Sequence, residues 1–393
     1  MTGLYHGLKQ YDYQFVFCFP NPLKTIRGSF DNNVYYGFKT ERKDYKKYSK
    51  SIELFFHDIL ISENPDVVHM FGTEYPYALA LAKACERTKK TNALLVNIQG
   101  LVSVYEKHYF AGIPDRVAKG FTIKELIRGN SVWLQKRDFK KRGMYETRIL
   151  KTSKYVIGRT EWDKACVNQI NRNITYLTCN EIMRDSFYTH RWVYKNCKKR
   201  TIFISQGNYP IKGLHYAVEA LGIVKKYFPD ALLVVAGENI YEKTKRIRTR
   251  TNYGRYIKSL ILKTGLKDSI HFIGSIPERK MVCEYLSANV FVSASSIENS
   301  SNSVSEALLL GVPVVSADVG GISSLIDHDR TGYLYPFDEP YMLAHYICKV
   351  FEAEESIEQM TARASDRAKE MFSRENNSYL MKQIYQAVCD GEG

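Results

Sequence analysis

SSIENSSNSVSEALLLGVPVVSADVGG, residues 295–321, places Glu298 and Glu306 with seven residues between them. The apolar run NVFVS (289–293) precedes this stretch, and PVVSA (313–317) lies inside it, after Gly311 and Val312. The pattern reads as strand, polar loop, helix, strand. Strands followed by helices make parallel sheets, and open parallel sheets bind ligands at the carboxyl ends of their strands. A helix that starts there offers free backbone N–H groups and the positive end of its dipole, which suits a phosphate. The loop and helix start, Asn299, Ser300, Ser301, Asn302 and Ser303, are therefore candidates for holding an anionic small molecule. A plainer reading stands beside it. Ser303 and Glu306 also have the spacing of a capping box, and Glu298 could be an exposed loop acid.

A second element, ISQGNYPIKGLHYAVEAL (204–221), ends a strand and opens a helix at Lys212-Gly213. A lysine there can reach a diphosphate near the strand ends, although lysines are usually at the surface. Around these elements, apolar runs and helical patterns alternate through most of the chain. YQFVFCF (13–19), DVVHM (66–70), ALLVNI (93–98) and YVIG (155–158) read as buried parallel strands in the first half. TIFI, ALLVVAG, IHFIG, NVFVS and PVVSA do so in the second. Helices are expected over 45–62, 77–88, 212–228 and 375–388. The spacing predicts an α/β protein of two doubly wound, Rossmann-like domains. The expected boundaries are 1–195, 196–374 and a C-terminal helix, 375–393.

Composition narrows the classes. The chain has 393 residues, 45% of them hydrophobic, enough for two cores. No stretch approaches the ~20 continuous apolar residues of a membrane span. MTGLYHGLKQ does not read as a signal peptide. Eight scattered cysteines show no C-x-x-C pair, so a zinc site or disulfide framework is not indicated. These features point to the cytoplasm. The net charge is +14. Between Arg116 and Lys154, twelve basic residues face only Glu125, Asp138 and Glu146, with Phe121, Ile123, Leu126, Ile127, Trp133 and Phe139 interleaved. Such a run can lie on an anionic membrane surface, bind nucleic acid or form a solvated face. A peripheral membrane contact on the first domain is the expectation, and nucleic acid is not expected as a partner.

The E-x7-E block, its Gly-x-Pro-Val-Val strand and Gly-Gly turn resemble the retaining glycosyltransferases of family 4, which have the GT-B fold. The resemblance covers most of the chain and is strongest over 201–332. It implies that Glu298 faces the donor sugar, that Glu306 holds the ribose hydroxyls, and that Lys212-Gly213 binds the donor diphosphate. It implies a backbone contact from Ile276 to the nucleobase. On the first-domain side, His69 and Gly72 match the family's His-x-x-Gly loop. Gln99 stands where the family commonly has a histidine. Gln206 and Gly207 stand where it usually has an arginine. The family's first strand and glycine-rich loop have no counterpart before α-helical MTGLYHGLKQ. No Asp-x-Asp pair implies a metal, and no cofactor is expected beyond the nucleotide-sugar substrate, a UDP-sugar by preference. The resemblance thus implies transfer of a sugar, with retention, to a saccharide or lipid-linked acceptor in glycan synthesis. The alternatives are an inactive nucleotide-sugar-binding protein and a nucleotide-sugar epimerase.

Overall fold

In the computed structural model, residues 2–237 and 251–391 are described. The chain begins with α1 (Thr2–Leu8), β1 (Val16–Asn21), β2 (Ile26–Phe30), β3 (Asn33–Lys39), α2 (Lys50–Glu63), β4 (Val68–Phe71), α3 (Pro76–Arg87) and β5 (Leu94–Asn97). It continues through α4 (Val102–Tyr105), α5 (Asp115–Ala118), α6 (Ile123–Arg128), α7 (Val132–Thr152), β6 (Tyr155–Gly158), α8 (Glu161–Ile170) and β7 (Thr175–Thr178). Then come β8 (Thr201–Ile204), α9 (Leu214–Val224), β9 (Leu232–Ala236), α10 (Asn252–Lys263), β10 (Ile270–Gly274), α11 (Glu278–Ser287) and β11 (Val290–Ser293). The last elements are α12 (Asn302–Leu310), β12 (Val314–Ala317), β13 (Tyr333–Tyr335), α13 (Pro340–Ala353), α14 (Ile357–Met371) and α15 (Arg374–Asp390).

Two compact units result. Unit 1 comprises residues 1–106, 138–182 and 372–393, and unit 2 comprises 107–137 and 183–371. The boundary expected near 195 falls inside unit 2. Residues 107–137, expected in the first domain, also group with unit 2. The basic run is therefore shared between the units, so an account confined to the first domain does not fit it.

Unit 2 is built on one parallel sheet of order β10-β9-β8-β11-β12-β13. Every residue of β8, β11 and β12 is buried. Strands covered on both faces must be apolar throughout, which explains TIFI, VFV and VV. The order reverses between β8 and β11, and such a reversal opens a crevice at the carboxyl ends of those two strands.

Unit 1 holds a parallel sheet β4-β5-β6-β7 and a separate sheet β1-β3-β2. In β5 and β6 the side chains alternate between two cores, as a period of two requires. Leu94, Val96 and Val156 join Phe38, Ile52, Phe56 and Met70. Leu95, Tyr155 and Ile157 join Leu8, Met381, Ile384 and Val388. The final helix thus belongs to the core of unit 1. Expectation and structure differ at β1. It pairs in parallel with β3 in the smaller sheet and is only partly buried, rather than lying inside the main parallel sheet. The β2–β3 hairpin is a feature the strand patterns missed. Its two-residue turn, Asp31-Asn32, has φ of 51° and 60°, as a type I′ hairpin demands.

Ile384→Ala should lower the unfolding free energy by about 2–5 kcal/mol, because it empties a site between α15 and the sheet. Urea unfolding measures this, and a loss below about 1 kcal/mol would mean that α15 contributes little to that core.

Candidate functional site

The loops after β8 and β11 meet at the crevice of unit 2. Lys212 ends a short 3-10 turn, Pro210–Lys212, and Gly213 follows at φ 65°. A Cβ on Gly213 would lie 1.7 Å from the Ala294 carbonyl oxygen. Only glycine permits both the left-handed conformation and that approach. The approach brings the Lys212 ammonium to Glu298 Oε1 at 2.5 Å, where Ser295 Oγ also donates at 2.7 Å. The side chains of Lys212 and Glu298 are 18% and 11% exposed. Glu298 is therefore not an exposed loop acid. Burial works against the charge on Lys212, but the Glu298 carboxylate and the Tyr209 phenol hold its pKa above the usual lysine range.

Glu298 is fixed from behind by the Gly-Gly turn. Gly321 N–H donates to the Glu298 carbonyl at 3.0 Å. Gly320, at φ 56°, leaves only 1.9 Å between that oxygen and any Cβ. The intervening loop, Asn299, Ser300 and Ser301, is buried despite its polarity. It leads into α12, whose first residue is Asn302 and whose N-cap is Ser301, without a side-chain cap bond.

The capping box expected from Ser303 and Glu306 does not form. Glu306 instead receives Arg184 Nη2 at 2.5 Å and the Tyr285 hydroxyl at 3.3 Å. Tyr285 also donates to Ser303 O at 3.0 Å. Burial raises the Glu306 pKa, and Arg184 and Tyr285 oppose that rise. Arg184 reaches Glu278 as well, at 3.5 Å. Sequence reading missed Arg184, which lies outside every motif and far along the chain from Glu306. Gln206 is exposed in the loop after β8, and Ile276 is half-buried between β10 and α11.

In unit 1 the carboxyl ends of β4 and β5 carry Gly72 and Gln99. Gly72 has φ 85° and donates from its N–H to Asn97 O at 2.9 Å. Gln99 Nε2 donates to Asn97 Oδ1 at 3.1 Å. His69 lies among aromatic rings, with Nδ1 2.8 Å from the Tyr385 hydroxyl and the ring stacked on Phe71. Its Nε2 is buried without a hydrogen-bond partner. Burial pushes its pKa down to about 3. Two acids that the sequence did not flag shape this layer. The buried Glu146 carboxylate accepts from Thr73 Oγ1 and from the Val102 and Ser103 amides, at 2.7, 3.1 and 2.9 Å. It so ties the loop after β4 to that after β5. Beside it, burial pushes Glu74 up to about 7.

Comparisons with known proteins agree with this architecture. Residues 187–367 match the family model described as "Glycosyl transferases group 1". The putative glycosyltransferase YtcC of Bacillus subtilis (strain 168) is 26% identical over 202 residues, 51% of this chain and 48% of the relative. The putative colanic acid biosynthesis glycosyltransferase WcaL of Escherichia coli (strain K12) is 24% identical over 184 residues, 45% of this chain and 42% of that protein. The chain spans about half the length of the curated relatives it matches. Among solved structures, sucrose-phosphate synthase from Thermosynechococcus elongatus superposes with a TM-score of 0.73 at 16% identity, covering 99% of this chain and 92% of that one. Anabaena Alr3699/HepE in complex with UDP-glucose gives 0.60 at 15% identity, covering 85% and 82%. The fold is GT-B, and the stretch that matches the group 1 model lies within unit 2.

Two expectations follow. Gly320→Ala should force the left-handed residue and the Glu298 carbonyl apart. The cost is roughly 1–3 kcal/mol of stability, read by thermal denaturation. Unchanged stability would mean the turn relaxes freely. The second concerns acid. His215, buried between Ala111 O at 2.8 Å and the Tyr253 hydroxyl at 3.2 Å, is pushed by burial down to about 4. Both His69 and His215 bind protons less readily folded than unfolded, where the value is about 6.5. The unfolded chain then takes up more protons, so stability falls as pH drops from about 6.5 towards 4. The slope should be flatter in His215→Gln, and an equal slope would remove His215 from the account.

Proposed function

We propose that this chain transfers a sugar from a nucleotide-diphosphate donor to a saccharide or lipid-linked acceptor, with retention of anomeric configuration. The observation that carries the reading is the buried Lys212–Glu298 pair at the point where the sheet order reverses, ahead of the α12 N-terminus. Breaking the anomeric C–O bond leaves negative charge on the diphosphate and oxocarbenium character on the ring. Lys212 and the amides at the start of α12 would stabilise the first. Glu298 would orient the sugar hydroxyls and favour the second. The acceptor oxygen then bonds to the anomeric carbon on the face the diphosphate leaves, and its proton passes to the departing phosphate. No enzymatic nucleophile is invoked, and no metal.

In the free protein, Glu298 holds Lys212. An arriving diphosphate would exchange one anionic partner of Lys212 for another, which spares the ammonium a spell without a counter-charge. Glu306, with Arg184 already on one oxygen, would accept ribose hydroxyls on its remaining lone pairs. The solved structures of similar fold that hold UDP or UDP-glucose favour a UDP-sugar donor. Relatives named for colanic acid and amylovoran biosynthesis favour a polysaccharide pathway. A second reading, a protein that binds the donor without transferring it, is favoured by one observation. Gln206 offers no charge beside Lys212, and no second cation is placed on that loop.

Glu298→Gln should retain nucleotide binding and lose most transfer, by about 2.7–4 kcal/mol in the barrier, or roughly a hundredfold to a thousandfold. Turnover at the wild-type rate would reject the assignment. Lys212→Ala should weaken nucleoside diphosphate binding about ten- to a hundredfold, as loss of a charged hydrogen bond does, and leave nucleoside binding nearly unchanged. Calorimetry on both ligands decides it, and equal losses would place Lys212 away from the diphosphate. Donor binding by the wild-type chain without any transfer or donor hydrolysis would select the second reading.

A further inference from the structure

The helix α6 is inside out. Its residues in contact with the body are polar. Thr122, at the N-cap, and Glu125 are buried, and they form a reciprocal capping box. Glu125 Oε1 also accepts from the Asn252 amide at 2.9 Å, which fixes the helix to the start of α10. Arg128 aside, the residues turned to solvent are apolar. Ile123, Leu126 and Ile127 are 78%, 49% and 80% exposed, and Phe121 just before the cap is 56% exposed. A surface helix of a water-soluble domain ordinarily does the reverse. Positions 123, 126 and 127 are three and four apart, so they share one face. Trp133, at the start of α7, is 43% exposed and has the Arg137 guanidinium 4.7 Å from its ring centroid.

Scattered exposed apolar side chains need no explanation, but five within thirteen residues do. Their surroundings choose the occupant. Arg116, Lys119, Lys124, Arg128, Lys136 and Arg137 share this stretch of unit 2. The acid among them, Glu125, is buried and spent on the cap, and Lys119 pairs with Asp115 just before them. Arg116, Arg128 and Arg137 are exposed. Apolar side chains rimmed by cations, with a tryptophan and an arginine stacked at the edge, match the boundary between headgroups and acyl chains of an anionic bilayer. Among the described residues no helix is long and apolar enough to cross a membrane, so any such contact is made from one side.

We propose that the segment Phe121–Trp133 of unit 2 is a membrane-docking element that inserts Ile123, Leu126 and Ile127 into an anionic lipid surface. It adds to the proposed transfer reaction and does not rest on it. Docking would hold unit 2 against the leaflet, where a lipid-linked acceptor would present its sugar.

The test is sedimentation with vesicles of phosphatidylcholine mixed with phosphatidylglycerol, against pure phosphatidylcholine, across a salt series. Wild-type protein should bind the anionic vesicles at low salt, be released as salt rises, and leave the neutral vesicles unbound. The Trp133 contribution to emission should shift to the blue on binding, and Trp133→Phe should remove that shift. The double variant Ile123→Ser with Ile127→Ser changes only exposed side chains, so it should fold, keep its nucleotide affinity and bind anionic vesicles at least tenfold more weakly. Ile61→Ser, an exposed change in unit 1, should bind as wild type does. The proposal is overturned by failure to bind anionic vesicles at low salt, or by equal binding of the double variant. It is equally overturned if the chain self-associates through this face, with the double variant monomeric and neither form bound to vesicles. Capture of a fluorescent oligonucleotide without vesicle binding would overturn it in favour of nucleic acid. Nucleotide affinity, measured separately, keeps any of these outcomes distinct from failure of the glycosyltransferase reading.

Discussion

A carboxylate taken out of water must find charge or hydrogen-bond donors, and this protein uses that demand to hold its loops. Glu298 finds Lys212 and Ser295. Glu306 finds Arg184 and Tyr285. Glu146 finds Thr73 and the amides that start α4, and Glu53 finds Lys50 and Arg87. The bonds of Glu298 to Lys212, Glu306 to Arg184, Glu146 to Thr73 and Glu53 to Arg87 tie segments that backbone hydrogen bonding alone would leave apart. Removing one partner of such a pair leaves an uncompensated charge, so these contacts constrain the loops more strongly than their net energy suggests.

The same loops are placed by a topological constraint and finished by two glycines. Reversal of strand order at β8 and β11 opens the crevice. Gly213 and Gly320 then let backbone approach backbone, at the Ala294 and Glu298 carbonyls respectively. The lysine and the glutamate meet because both loops are pressed against one strand end. The chemistry is carried by side chains, while the geometry is carried by the absence of them.

Much of this could be read from the sequence. Apolar runs gave the strands of unit 2 because strands buried on both faces leave little choice of residue. The E-x7-E spacing and the Lys-Gly pair marked the loops because a helix start after a strand has a recognisable pattern. Three things were not legible, for different reasons. Arg184 meets Glu306 from 122 residues away, and periodicity carries no information about such pairs. The hairpin at Asp31-Asn32 was signalled by two residues that tolerate positive φ, a local cue that helical and strand periods pass over. The side of α6 that faces water contradicts its own hydrophobic pattern, so a reading that buries apolar faces inverts it. His69, matched in sequence to the family's His-x-x-Gly loop, packs against Tyr385 of α15 in an aromatic environment.

The interleaved path of the chain sets a condition on its synthesis. Unit 1 is left at Ile182 and rejoined at Phe372. Met381, Ile384 and Val388, which join Leu95, Tyr155 and Ile157 in one core, are therefore synthesised only after unit 2. At about 5–20 residues per second, the roughly 190 residues between occupy roughly 10–40 s. Through that interval the apolar face of the β5–β6 sheet waits without its helix, while unit 2 emerges and closes its own core. An apolar sheet face left uncovered in this way is prone to aggregation. A ribosome stalled short of α15 would release unit 1 with that face uncovered.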